Sequence, residues 1–267
     1  MSKFYFRFSK NRKVLYALII IVLWCVGYLM YFRYFGSLPQ ATAILFQEIK
    51  SPQSTDIILV FSPHEDDETL GVGGYIAQAQ INGAKVSVVF ATDGNRRYKK
   101  ETRLEESLNA TATLGVPSEN VYYYDYPDMK LSQYSNQLKN SIDQSLNSLH
   151  PNIVFTTSPN DIHPDHKELG LKVKDAIKRR NNVQLYNYLI HYRAFPRPQA
   201  YRPSEKLLPP VKLINTNTTW YKFSLSTLSF DRKNEAVFQY KSQLATPFLR
   251  SLMTAFIRQN EIFAVEN

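Results

Sequence analysis

Hydrophobic and polar positions divide the chain into a long uncharged run and a series of short alternating segments. Val14 to Phe32 is 19 residues without a charge, closed by Arg33. At 1.5 Å per residue a helix of that length spans roughly 28 Å, close to the hydrocarbon thickness of a bilayer. Rings at Tyr16, Trp24, Tyr28, Tyr31 and Tyr34 include several near its ends, where interfacial aromatics sit. A cleaved signal peptide usually has a shorter apolar stretch and a small-residue cleavage site, whereas this run ends in Leu-Met-Tyr-Phe-Arg-Tyr-Phe. The pattern therefore predicts an uncleaved signal anchor at 14–32, behind a basic segment at 1–13.

Beyond it, residues 33–55 carry scattered Gly, Pro and Ser and read as a tether with a short helix over Ala41 to Ile49. From Asp56 onward, strands and helices alternate. Apolar runs predict strands at Asp56–Phe61, Lys85–Ala91, Val121–Tyr124, Ile153–Thr157 and Val183–Ile190. Helical spacing predicts helices at Glu68–Ile81, Glu101–Leu114, Tyr134–Leu149 and Asp165–Arg180, and again at Phe230–Gln243 and Pro247–Ile262. Residues 192–228 hold five prolines and read as loop. Such alternation predicts an α/β fold, a mostly parallel sheet with helices on both faces, over 56–267.

Charge sets the expected orientation. Five cations precede the span and Arg33 stands alone after it until Lys50, so the amino terminus is expected in the cytoplasm and the folded part outside a single-pass cell membrane protein. Six of the 32 Lys and Arg lie at or before Arg33, and the remaining 26 face 23 acids. The folded part is nearly balanced, so the net charge of +9 gives no argument for nucleic acid. The single cysteine, Cys25, falls inside the span, so any metal in the folded part is held by His and carboxylate.

Candidate chemistry clusters where strands end. Ser62-Pro63-His64-Glu65-Asp66-Asp67-Glu68 follows the first strand and opens a helix. Four adjacent carboxylates repel one another unless a cation or water lies among them. Asp161-Ile162-His163-Pro164-Asp165-His166 follows the fourth strand in the same way. Parallel strands bring their carboxyl ends together, and ligands bind there. Zinc in catalytic sites takes three protein ligands plus water, and His64, Asp67 and His166 supply such a set. Asp93, after the second strand, either lines the pocket or caps through Gly94. His150 reads as a helix C-cap, and His191, which follows an apolar strand, as a bland polar residue, with reach into the pocket as the alternative.

These motifs carry a resemblance. His64-Glu65-Asp66-Asp67-Glu68, Thr92-Asp93-Gly94 and His163-Pro164-Asp165-His166 resemble the PIG-L/LmbE-like family of metal-dependent N-acetylglucosaminyl deacetylases. Arg103-Leu104-Glu105-Glu106, Tyr126-Pro127-Asp128 and the Lys233, Ala236, Ser242-Gln243 set resemble further family segments. The resemblance implies a Rossmann-like LmbE-type fold and a divalent cation, zinc by preference, on His64, Asp67 and His166. It implies Asp66 as general base, His163 as the group that stabilises or protonates the tetrahedral intermediate, and Asp165 as the carboxylate orienting His163. Arg103 and Asp128 resemble substrate-contacting residues, with Asp93 beside them. One departure is Glu65, where the family usually has Pro; its side chain is expected to point to solvent.

The implied reaction is removal of acetyl from an N-acetylglucosamine-type sugar of an extracellular polysaccharide or glycolipid. A metal hydrolase of another surface amide or ester, and a non-catalytic glycan-binding module, are the competing readings.

Overall fold

A computed structural model describes residues 9–96, 99–193, 195–215 and 217–266; the expected basic segment lies outside them up to residue 8. The chain divides into two compact units, residues 1–38 and 39–267. The first contains helix α1 (Ser9–Phe35), whose stretch Arg12–Tyr31 has a mean hydropathy of 2.3 and the length to cross a membrane. A signal sequence has the same properties.

The second unit begins 17 residues before the expected domain start. A 3-10 turn at Gln40–Leu45 leads into strand β1 (Gln47–Glu48), which pairs in parallel with β7 (Thr218–Ser224). The segment expected as a tether is thus partly an edge strand of the sheet. Its backbone finds partners there, with Ile49 N donating to Lys222 O at 2.8 Å.

Strands β2 (Ile57–Ser62), β3 (Lys85–Thr92), β4 (Val121–Tyr126), β5 (Ile153–Thr157) and β6 (Gln184–Tyr188) form the parallel core of the sheet. With β8 (Asn260–Glu266) the spatial order is β1-β7-β8-β6-β5-β2-β3-β4, and β8 alone runs antiparallel to its neighbours. The connections are helices α2 (Asp67–Ile81), α3 (Lys100–Leu114), α4 (Ser135–Leu149) and α5 (Pro164–Ile177). After β7 come α6 (Thr227–Val237), α7 (Lys241–Leu244) and α8 (Pro247–Thr254). The mostly parallel α/β fold expected from alternation is present.

The central strands read as unbroken apolar runs because both faces are covered. Leu59, Phe61, Val89 and Val154 pack with Leu138, Ile142, Leu169 and Val173 of α4 and α5. Ile58, Val60, Val88 and Phe155 pack with Ile76, Ala110, Leu114, Ala236 and Val237 of α2, α3 and α6.

Two expectations at the carboxyl end fail. The helix expected over Pro247–Ile262 stops at Thr254, and Asn260–Glu266 is a strand. Likewise, the helix expected over Phe230–Gln243 is two helices, α6 and α7, broken between Val237 and Lys241. In the segment read as loop, Thr218–Ser224 is a seven-residue strand that pairs along its length with β8. The apolar pattern of α8 continues through Phe256 and Ile257, which pack in the core without extending the helix.

Candidate functional site

Strand β2 ends at Ser62 and α2 starts at Asp67, so residues 63–66 turn at the carboxyl edge of the sheet. Strand β5 lies beside β2 in parallel register, and α5 starts at Pro164 beyond it. Pro at the first helical position suits α5, because its missing N–H is one that a helix start leaves unpaired anyway. These two adjacent crossovers bring residues a hundred positions apart into contact.

His64 Nδ1 stands 3.1 Å from His166 Nε2, and Asp67 Oδ2 lies 3.2 Å from the first nitrogen and 3.1 Å from the second. Two imidazole nitrogens and one carboxylate oxygen thus form a nearly equilateral triangle. At most one proton can lie between two such nitrogens. Ligands about 2.0–2.2 Å from one ion in tetrahedral geometry stand only slightly further apart than this. The donor set fits a divalent cation, and His163 and His191 bring further nitrogens within 4.8 Å of members of the set.

The outer nitrogens of both rings face carboxylates. His166 Nδ1 is 3.1 Å from Asp161 Oδ2, and His64 Nε2 is 3.3 Å from both Asp165 Oδ2 and Asp128 Oδ1. Such partners fix the tautomer and orientation of a ligating imidazole. Burial works against protonation of His166, but the carboxylates of Asp67 and Asp161 raise its pKa to about 9. For His64 the same burial is outweighed by Asp128, Asp165 and Asp67, which hold its pKa well above the ordinary value. Asp67 responds in the opposite sense: despite burial, the two His rings hold it well below the carboxylate range. The cluster therefore carries the charge pattern of a site that holds positive charge.

Asp165 was expected beside His163, yet the ring it engages is that of His64. Its carboxylate also accepts from Met129 N at 2.6 Å and Leu131 N at 3.0 Å, pinning the turn after β4. His163 borders the cavity with its Nδ1 buried and without a hydrogen-bond partner. Its backbone N–H donates to Asp161 Oδ1 at 2.9 Å. Burial and the surrounding His64, His166 and His191 rings lower its pKa to about 3, so it is a neutral imidazole.

Asp66 occupies a backbone conformation with φ at 119°, outside the regions open to most L-residues. Burial and the neighbouring Asp67 and Glu68 push its carboxyl well above the ordinary range, against the pull of Arg103. Asp128 lines the cavity, and its backbone N–H donates to Asp93 Oδ1 at 3.1 Å. Asp93 also accepts from Asn95 N at 3.2 Å, which is the capping role rather than a cavity-facing one. Arg103 reaches the cavity wall but is only 2% exposed, and its guanidinium is occupied by protein groups.

Glu65 departs from expectation. It is 2% exposed rather than solvated, and its Oε2 has no hydrogen-bond partner. Burial raises its pKa to about 7, opposed by Arg103, whose Nε is 3.8 Å away. The carboxyl group lies against Gly94, where an added Cβ would overlap it.

Asp161 is a buried residue of the site that the sequence expectations do not include. One buried carboxylate accepts from the His166 ring and from the backbone N–H groups of His163, Ile190 and His191. Its position two residues before His163, at a strand end, was the available signal. Around these residues lies a cavity of about 410 Å³. His64, Asp66, Asp67 and His163 form one side, and Leu70, Phe195, Phe248 and Leu252 contribute an apolar one.

Residues 59–177 match the model of a family described as PIG-L, GlcNAc-PI de-N-acetylase. A diacetylchitobiose deacetylase of Thermococcus kodakarensis is 27% identical over 132 residues, 45% of this chain and 48% of the relative. A probable N-acetyl-alpha-D-glucosaminyl L-malate deacetylase 2 of Bacillus subtilis is 26% identical over 137 residues, 46% of this chain and 61% of the relative. The matched regions thus span about half to three-fifths of the length of these curated relatives. Among solved structures, an N,N'-diacetylchitobiose deacetylase from Pyrococcus horikoshii superposes with a TM-score of 0.57 at 18% identity, covering 90% of this chain and 92% of that one. The zinc-inhibited form of a teicoplanin deacetylase gives 0.58 at 16% identity, covering 79% and 98%. At these identities the structures share the fold. Residues 59–177, less than half of the chain, thus carry the match to the PIG-L family, and the solved deacetylase structures share the fold.

Proposed function

We propose that the protein is a metal-dependent N-deacetylase acting on an N-acetylglucosamine-type sugar of an extracellular polysaccharide or glycolipid. The observation that carries this reading is the triangle of His64 Nδ1, Asp67 Oδ2 and His166 Nε2 facing a cavity that also holds Asp66 and His163. A divalent cation held by these three donors, zinc by preference, would supply Lewis acidity toward water and the acyl oxygen. Asp66 takes the proton of the attacking water, from the same cavity that the three donors face. Neutral His163 donates a hydrogen bond to the oxyanion that develops at the acyl carbon. The C–N bond then breaks, the amine leaves with the proton gathered by Asp66, and acetate remains. Asp128, at the rim beside His64, contacts the sugar, and Asp165 and Asp161 hold the two ligating rings.

The 14–32 stretch of helix α1 serves in this reading as a signal anchor, with the five cationic residues before that stretch in the cytoplasm and the catalytic unit outside. The family description and the names of the two curated relatives support the acetylated amino sugar. Mass spectrometry of surface glycans from cells with and without the gene tests the reading. Free hexosamine that disappears with the gene supports it; an unchanged acetylation pattern contradicts it.

A further inference from the structure

We infer that the 3-10 turn at Gln40–Leu45 docks on the surface of the lipid bilayer, so that the folded unit is held to the membrane by its own apolar side chains as well as by the anchor. This inference rests on α1 being that anchor, as proposed above. Ile44 is 82% exposed and Leu45 76%, more than any other large apolar side chain among the described residues. Their exposure is built into the turn. Ala43 is buried and Phe46 packs against the core, so the two residues between them are left outside. Thr42 Oγ1 donates to Pro39 O at 2.7 Å, and Lys222 Nζ donates to Ala43 O at 2.9 Å. Gln40 is tied twice to the backbone of Lys206: its Nε2 donates to Lys206 O at 3.1 Å, and its Oε1 accepts from Lys206 N at 2.7 Å. An adjacent apolar pair fixed outward in this way has no partner within the folded unit.

Chain continuity and charge identify what covers it. Helix α1 ends at Phe35 and the turn starts at Gln40. Five residue steps reach at most about 18 Å, and the headgroup layer on each side of a bilayer is roughly 5–8 Å thick. The acids beside the turn are engaged: Glu205 by Arg202 and Arg258, and Glu48 by Lys222 and Ser224. Lys206 and Lys50 keep no acidic partner among the described residues, and segments that lie in the interface combine apolar side chains with such cations. Two side chains offer far less area than the roughly 1,200 Å² of a stable protein interface. They suffice for a membrane, because the anchor makes docking intramolecular and raises the effective concentration of the surface. A unit held at two points presents its cavity to the membrane in one orientation instead of swinging on the link.

The test uses the full chain in nanodiscs of phosphatidylcholine and phosphatidylglycerol. An environment-sensitive fluorophore is attached at Ile44→Cys in a Cys25→Ser background, Cys25 being the only cysteine. Nitroxide-bearing lipid is expected to quench this label about twofold or more, as for a side chain seated at the headgroup–acyl boundary. Aqueous iodide is expected to quench it less than the same label at Asn181→Cys, an exposed position after α5. Adding Leu45→Asp to the labelled chain is expected to abolish the lipid quenching. A label at residue 44 that iodide reaches as readily as at 181, and that lipid nitroxide leaves bright, overturns the inference. So does a label shielded from both quenchers, which would mean that a protein surface covers the turn. The same fluorophore on Cys25 of the wild-type chain reads whether α1 lies in lipid. Quenching at Cys25 without quenching at residue 44 keeps the anchor and overturns the docking; no quenching at Cys25 ends the anchor reading, while the label at residue 44 still decides the docking.

Discussion

His64 Nδ1 and His166 Nε2, 102 positions apart in the chain, stand 3.1 Å apart, and each ring has its other nitrogen against a buried carboxylate. Neither ring is free to turn away. An arrangement that aims two lone pairs at one point, with Asp67 between them, is stable when a cation occupies that point.

Metal removal is the first consequence. Chelation is expected to abolish turnover and lower the melting temperature, and a divalent cation at 100 times its dissociation constant restores about 2.7 kcal/mol of stability. His166→Ala is expected to bind no stoichiometric metal and to show no such difference. Inductively coupled plasma measurement alongside thermal melts checks both; equal metal content in variant and wild type rules the site out.

Asp161 holds His166 and three backbone N–H groups at once. Asp161→Asn keeps the size and loses the negative charge facing the ring. Metal affinity is expected to fall about 10- to 100-fold, the usual cost of losing a carboxylate behind a ligating His. Competition titration with a chromophoric chelator measures it, and an unchanged affinity would refute the assigned role.

Asp66→Asn is expected to lower kcat by about 10² to 10⁴ while the metal stays bound, because loss of a positioned base removes proton transfer and leaves the ligands intact. Steady-state kinetics with a metal assay on the same sample separates the two effects.

Gly71 faces Tyr188 across the interface between α2 and the sheet, and a Cβ there would overlap the ring. Tyr188 is fixed by its hydroxyl, which donates to Phe61 O at 2.9 Å. Gly71→Ala is expected to destabilise the unit by about 1–3 kcal/mol. Denaturant unfolding checks this; a change within experimental error would mean that the ring moves freely.

Stability toward acid has an identifiable contributor far from the site. Slight burial raises the pKa of Asp143, but hydrogen bonds from Lys139, Arg180 and Arg179 outweigh it and hold the carboxyl below the ordinary value. A carboxylate depressed in the folded state stabilises above its unfolded pKa of about 3.9 and loses that contribution as pH falls through the folded value. Asp143→Asn is expected to melt lower than wild type at pH 7 and to converge with it below about pH 4. A gap that persists into acid would show that the difference is not electrostatic.

The sequence made the core of the sheet legible because its strands are apolar runs punctuated by helical periods, and the two His motifs fall where those runs stop. Strand β8 was not legible, since it opens with Asn260 and Glu261, both buried by polar partners rather than by apolar alternation. Glu261 accepts from Lys233 Nζ at 2.7 Å and from the backbone N–H groups of Gly74 and Tyr75 inside α2, a role no local pattern announces. The partner of Asp165 was equally hidden: spacing places it near both His163 and His64, and only the fold of the 126–131 turn decides that it faces His64. The burial of Glu65 depends on Gly94, whose lack of a side chain opens the space that the carboxyl fills.

The most direct test is quantitation of acetate and free amine from N-acetylglucosamine-terminated glycans and glycolipids incubated with the full chain in detergent. The account predicts equal amounts of both products, none after chelation, and recovery when a divalent cation is restored. Metal-loaded protein with His64, Asp67 and His166 bound to one ion, yet releasing no acetate from any such substrate, would contradict it.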